Sequence, residues 1–182
     1  RHSDRLLRPL NFPVSSAGRG YTTVTSRNGV PVSVISLLGR VFMRPVDCPF
    51  HAFNRLLEAS ATSLATIRLV DFHAEATSDK QSFGWLADGK ISAMFGTHTH
   101  VATADEKILP AGTGYHTDVG MTGPFHSILG RDIDAVLQAT LHYEPVAFDV
   151  ATGDVRITGT FADIDLQTGK CTRIERVQWP ES

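Results

Sequence analysis

Cysteine is scarce in this chain. Cys48 and Cys171 are the two present, far apart and not in a C-x-x-C pair. That argues against a disulfide framework and against a thiolate zinc site, and it suits a reducing, cytoplasmic setting. A dominant charge sign is also lacking. The net charge is −2 and no dense Lys/Arg block occurs, so the basic stripe of a nucleic-acid backbone binder is missing and sequence-specific nucleic-acid binding is not expected. A small anion held by local groups is still allowed. No apolar run approaches the length of a membrane span, and no signal-peptide core follows Arg1, so no membrane association is expected. Familiar catalytic signatures are absent too. There is no G-x-x-x-x-G-K-[ST] loop, no Rossmann glycine spacing and no G-x-S-x-G elbow, and neither cysteine has the context of a nucleophile. What is present is a chain of 182 residues, 42% hydrophobic and 20% charged. That length and balance suit one domain over residues 1–182 with an ordinary buried core.

Local patterns predict the elements. Tyr21 to Thr25 reads as a strand, Asn28-Gly29 as a hairpin turn, and Val30 to Leu38 as the returning strand. Phe50, Phe53, Leu56, Leu57 and Leu64 recur at helical spacing and predict about four turns of amphipathic helix. Ile67 to Phe72 is a short apolar strand that delivers His73. Ser78 is placed to cap a helix carrying Phe83, Trp85 and Leu86. Ile91 to Phe95 is a second buried strand, delivering His98 and His100, and Tyr115 to Val119 a further short one. Asp132 to Leu141 fits a helix with Ile133, Val136, Leu137 and Leu141 on one face. From residue 146 to 182 the pattern becomes a β-meander, with strands Ala147–Val150, Val155–Phe161 and Thr172–Val177. Its turns repeat D-x-x-T-G at Asp149–Gly153 and Asp165–Gly169. Strands alternating with helices, followed by antiparallel strands, predict an α/β sandwich with mixed sheets rather than a doubly wound fold.

Three polar clusters follow apolar strands. In Gly96-Thr97-His98-Thr99-His100, residues two apart point the same way if the segment is extended, so the two imidazoles could converge on one ion. From spacing alone, a metal pair and two ordinary loop histidines both stay open. In Asp71-Phe72-His73-Ala74-Glu75-Ala76-Thr77-Ser78-Asp79-Lys80, His73 and Glu75 could face one way, and Thr77, Ser78 and Lys80 could hold a phosphate. Against that stand turn formation at Asp71, capping at Ser78 and a solvated Glu75–Lys80 ion pair. The third cluster, Leu109 to Pro124, is rich in glycine and contains Asp118, a candidate to ligate a metal or to orient a ligating imidazole. His2, His51, His126 and His142 carry no functional reading.

Taken together, D-F-H-A-E-A-T-S-D-K (Asp71 to Lys80), G-T-H-T-H-V-A-T-A-D-E (Gly96 to Glu106), D-V-G-M-T-G-P (Asp118 to Pro124), L-L-R-P-L-N-F-P (Leu6 to Pro13) and F-D-V-A-T-G-D-V-R (Phe148 to Arg156) resemble the YmdB-type branch of the calcineurin-like metallophosphoesterases. The resemblance runs over essentially the whole chain. It implies a sandwich of two mixed β-sheets flanked by helices, and a phosphodiesterase acting on cyclic nucleotides such as 2′,3′-cyclic nucleotides through two divalent metal ions, iron or manganese, with zinc as a further option. By motif, His73 and His98 would bind one ion and His100 the other. Glu75, Thr77 and Asp118 would serve substrate or support the ligands. The family's first strands, their Asp, Glu-Asn and Asn-His motifs and the general-acid histidine have no counterpart here, so the chain is expected to be the C-terminal part of such an enzyme. Self-association is compatible with the resemblance. Two other functions remain: a non-catalytic nucleotide-binding module on the same fold, and a mononuclear hydrolase with a three-histidine zinc site.

Overall fold

The computed structural model describes residue 3 and residues 5–60 and 62–180; His2 lies outside them. The chain opens with an antiparallel hairpin, β1 (Tyr21–Thr25) and β2 (Pro31–Leu38), turned at Gly29 with φ 78°. That conformation costs glycine little, which is why Asn-Gly marks the turn. β2 then runs parallel to β3 (Ile67–His73) by way of α1 (Pro49–Ala59), and β3 runs parallel to β4 (Ala93–Thr97) by way of α2 (Thr77–Ala87). β6 (Gly114–His116) extends the parallel set, and the short β5 (Lys107–Ile108) closes the edge antiparallel to it. The six-stranded order is β1-β2-β3-β4-β6-β5.

The register divides the side chains of this sheet between two faces. Ile35, Val70, Met94 and Tyr115 lie in one row across the strands, and together with Leu37 and Phe72 they form the floor on which α1 and α2 pack. Phe83 of α2 sits at the centre, its ring 4.8 Å from that of Phe72 and 5.1 Å from that of Phe53. Gly84 lets α2 approach, since a Cβ there would lie 2.6 Å from the Tyr115 ring. The alternate residues, Asp71, His73, Phe95, Thr97 and His116, point to the opposite face, because successive strand side chains alternate.

Beyond this face lies the second sheet: β7 (Thr122–His126), β8 (Gly153–Ile164) and β9 (Cys171–Trp179), antiparallel throughout in the order β7-β8-β9. Buried His116 ties the sheets together, its Nδ1 2.6 Å from the Thr160 hydroxyl and its Nε2 2.9 Å from the Thr103 carbonyl. The two-sheet α/β sandwich expected from the sequence is therefore present, with the mixed pairing in the large sheet.

Several local expectations are corrected. α1 ends at Ala59 in three turns, and Leu64 packs into the core from the following loop. The N-cap of α2 is Ala76, without a side-chain cap, and Ser78 lies inside the helix. Trp85 is 60% exposed while Phe83 is fully buried. Ala147–Val150 forms no strand; Val150 makes one bridge to Arg131, and the partner of β8 is β7. β7 contains Gly123 and Pro124, which weaken its strand signal. The turn at Asp165–Gly169 behaves as expected: Gly169 has φ 71° and the Asp165 carboxylate accepts hydrogen bonds from the amides of Gln167 and Thr168. In the earlier echo, Gly153 already belongs to β8 and Asp154 takes the positive φ. α3 (Ile133–His142) is capped by Asp132, whose carboxylate accepts from the Ala135 amide; none of its residues is buried. Among the described residues no helix is long and apolar enough to cross a membrane.

Candidate metal centre

Parallel neighbours β3 and β4 end side by side, with His73 opposite Thr97. The chain then continues from Thr97 into His98, so the two imidazoles come from adjacent strand ends. Their rings lie edge to face, with centroids 4.8 Å apart, and His73 Nε2 is 3.0 Å from His98 Nδ1.

The outer nitrogens decide what the inner ones present. The Thr97 hydroxyl donates to Asp71 Oδ1 at 2.9 Å, so its oxygen is left to accept from His73 Nδ1–H, also at 2.9 Å. That fixes the proton of His73 on Nδ1 and leaves a lone pair on Nε2. On the other ring, His98 Nε2 lies 2.8 Å from the Glu75 carboxylate. A neutral His98 donates that proton outward and turns the Nδ1 lone pair inward. Two lone pairs at 3.0 Å repel, so the contact calls for either a shared proton or a cation between the rings. Ligands about 2.1 Å from an ion and at right angles are separated by about 3 Å, so the spacing suits two ligands of one ion. A carboxylate or hydroxyl on the far nitrogen is also how ligating histidines are usually oriented.

Electrostatics favour the neutral ring at His73. Burial lowers its pKa, and the neighbouring His98 lowers it further, against a raising influence from Asp71. Burial also raises the pKa of Asp71, opposed by the Thr97 hydrogen bond and by His73. A neutral imidazole is the form that binds metal.

The backbone of the H-T-H segment is not extended. His98 has φ 117° and His100 φ 67°, values uncommon for residues with a Cβ and costing of order 1–3 kcal/mol each. The premise that His98 and His100 converge along one extended strand therefore fails; His98 converges with His73 instead. His100 is exposed and lines a cavity of about 820 Å³ together with Met121, Phe125 and Arg176. Among the described residues, no three His, Cys, Asp or Glu side chains gather around one ion position. The pair thus offers part of a coordination shell, and His100 is not gathered with it as a third ligand.

Glu75 serves His98 rather than Lys80. Thr77 opens α2 on the exposed surface. Asp118 is fully buried and touches neither imidazole: its carboxylate accepts from Lys80 Nζ at 2.7 Å, from the Thr99 amide at 3.0 Å and from the Gly120 amide at 2.9 Å. Burial works against its charge, but those hydrogen bonds outweigh it and hold its pKa below the usual carboxylate range. Lys80 is itself fully buried, so neither the solvated ion pair nor a phosphate contact describes it. Two supporting groups escape the sequence patterns: Thr97, and Asp71 in place of a turn residue. A signal for Asp71 existed, since strand alternation puts it on the same face as His73.

Known proteins resemble this chain over nearly its whole length. A 2′,3′-cyclic-nucleotide 2′-phosphodiesterase of Bacillus subtilis (strain 168) is 48% identical over 172 residues, covering 94% of this chain and 64% of its own length. A hypothetical protein from Thermus thermophilus, of solved structure, superposes with TM-score 0.87 at 40% identity, over 95% of this chain and 66% of that one. A phosphatase structure from Mycoplasma pneumoniae gives TM-score 0.87 at 32% identity, over 97% and 64%. The chain thus spans somewhat under two thirds of the length of these relatives. The model of the YmdB-like protein family matches residues 1–177, and the chain belongs to that family.

Proposed function

We propose that this chain carries part of the catalytic centre of a metal-dependent phosphodiesterase acting on cyclic nucleotides such as 2′,3′-cyclic nucleotides. The observation that carries the proposal is the pair of facing nitrogens of His73 and His98, 3.0 Å apart, with both outer nitrogens engaged by acceptors. Support for the substrate class comes from the B. subtilis relative, which is named for that reaction. His73 and His98 would hold one divalent ion, iron or manganese with zinc as a further option, and His100 a second. Ions held there supply positive charge to a phosphodiester and make water a stronger acid.

The chain's own residues do the rest. Thr97 and Asp71 keep His73 in one tautomer, and Glu75 does the same for His98. The cavity beside His100, at about 820 Å³, falls in the range of small-molecule sites and can take a nucleotide, with Phe125 available for a base and Arg176 for its anionic group. The proposal includes a reducing, cytoplasmic setting, supported by two free cysteines. A three-histidine mononuclear site gains no support: among the described residues, no three potential ligands gather around one ion position.

The test is metal content after loading with Mn²⁺ or Fe²⁺, followed by hydrolysis of a 2′,3′-cyclic nucleotide, in the protein and in its His98→Ala variant. Bound metal that disappears in the variant is expected, and hydrolysis is expected once the family's N-terminal motifs are joined to the chain, again lost with the same substitution. Equal metal content in the two proteins would overturn the assignment.

A further inference from the structure

The loop bearing His98 and His100 is held from below by the segment around Asp118. The Val119 amide donates to the Gly96 carbonyl at 2.9 Å, and the Thr103 amide donates to the Asp118 carbonyl at 3.0 Å. Midway between, the Thr99 amide donates to the Asp118 carboxylate at 3.0 Å. Thr99 separates the two histidines with left-handed backbones, so this bond fixes the peptide on which both depend. The other carboxylate oxygen takes the Gly120 amide.

Asp118 needs a counter-charge at its depth, and Lys80 supplies it from α2. Both side chains are essentially inaccessible and Nζ is 2.7 Å from Oδ2. The route of Lys80 is also built in. It occupies the buried face of α2 with Phe83, Gly84 and Ala87, and its stem passes Gly96, where a Cβ would lie 3.1 Å from Lys80 Cδ and would overlap the Thr117 carbonyl. A buried ion pair is a poor source of stability compared with apolar packing, so its presence calls for another role.

We propose that Lys80 and Asp118 are positioning residues: a buried strut from α2 that sets the backbone of Thr99 and thereby the placement of His98 and His100. The proposal rests on the metal reading of those histidines, and its experiment separates the two. Mn²⁺ affinity, melting temperature and amide hydrogen exchange are measured on the full chain, on Lys80→Met/Asp118→Ala, on Asp118→Asn and on His98→Ala. In the double variant, exchange at Thr99 is expected to accelerate at least about tenfold while Val70 in β3 stays protected, and Mn²⁺ affinity to fall by about tenfold or more, the size of effect seen when support of a ligand is removed. Asp118→Asn keeps the shape and one acceptor oxygen, and carries the same readouts with smaller changes should the double variant not fold. Unchanged exchange at Thr99, or unchanged Mn²⁺ affinity despite faster exchange, would overturn the strut. If His98→Ala binds Mn²⁺ as well as the parent, the metal reading fails by itself, and exchange at Thr99 alone then decides whether the strut exists.

Discussion

The two faces of β3 and β4 are made by alternate residues of the same strands and do opposite work. On one face Val70, Phe72 and Met94 are fully buried against the helices. On the other, Asp71, His73 and Thr97 form a hydrogen-bonded row. Apolar packing on the first face is dense and interchangeable in kind; the second depends on particular atoms at particular distances. A single alternation of side chains therefore separates fold from chemistry, and changes on one face should leave the other largely intact.

The largest effect belongs to the helix side. Phe83→Ala removes the ring that Phe50, Phe53 and Phe72 surround, and should cost about 3–5 kcal/mol in urea unfolding while the folded fraction keeps its metal affinity. Lys80→Met alone should cost a similar amount, about 3–5 kcal/mol, because it strands a buried carboxylate; unlike Phe83→Ala, it should also weaken metal binding. Next comes Thr97→Val, nearly isosteric. It frees the His73 tautomer and should reduce Mn²⁺ affinity about 10–100-fold with a smaller change in stability, measurable by titration calorimetry.

Acid should distinguish the faces too. The Asp118 pKa is lowered in the folded chain. Its contribution is therefore fully present above the ordinary aspartate value of about 3.9 and is lost as pH falls through the folded value. Below about pH 4 the parent should lose stability more steeply than Asp118→Asn in urea titrations at successive pH values. The smallest effect is expected at Trp85, 60% exposed on the same helix as Phe83: Trp85→Ala should shift stability by no more than about 0.5 kcal/mol.

Much of this was legible in the residues. Alternation and helical spacing locate β2, β3, α1 and the hairpin at Gly29, because those elements bury one face and solvate or line another. The H-x-H and D-F-H-A-E motifs mark the site. What the pattern did not show depends on contacts between segments distant in the chain. Lys80 reads as a phosphate contact or a solvated charge until Asp118, far along the chain, is known to lie beside it. β7 is obscured by its glycine and proline, which an edge strand tolerates. The convergence of His98 with His73, rather than with His100, follows from left-handed backbone at both ends of the H-T-H segment, a conformation that no local preference of histidine announces.

The most direct test of the centre is a long-range ¹H–¹⁵N correlation spectrum of the histidine side chains with Zn²⁺ bound, a diamagnetic stand-in for the native ion. The expected result is a proton on Nδ1 of His73 and on Nε2 of His98, with His73 Nε2 and His98 Nδ1 both shifted by the ion. A proton found on either of those two inner nitrogens, or their indifference to Zn²⁺, would contradict the assignment of the pair as ligands of one metal.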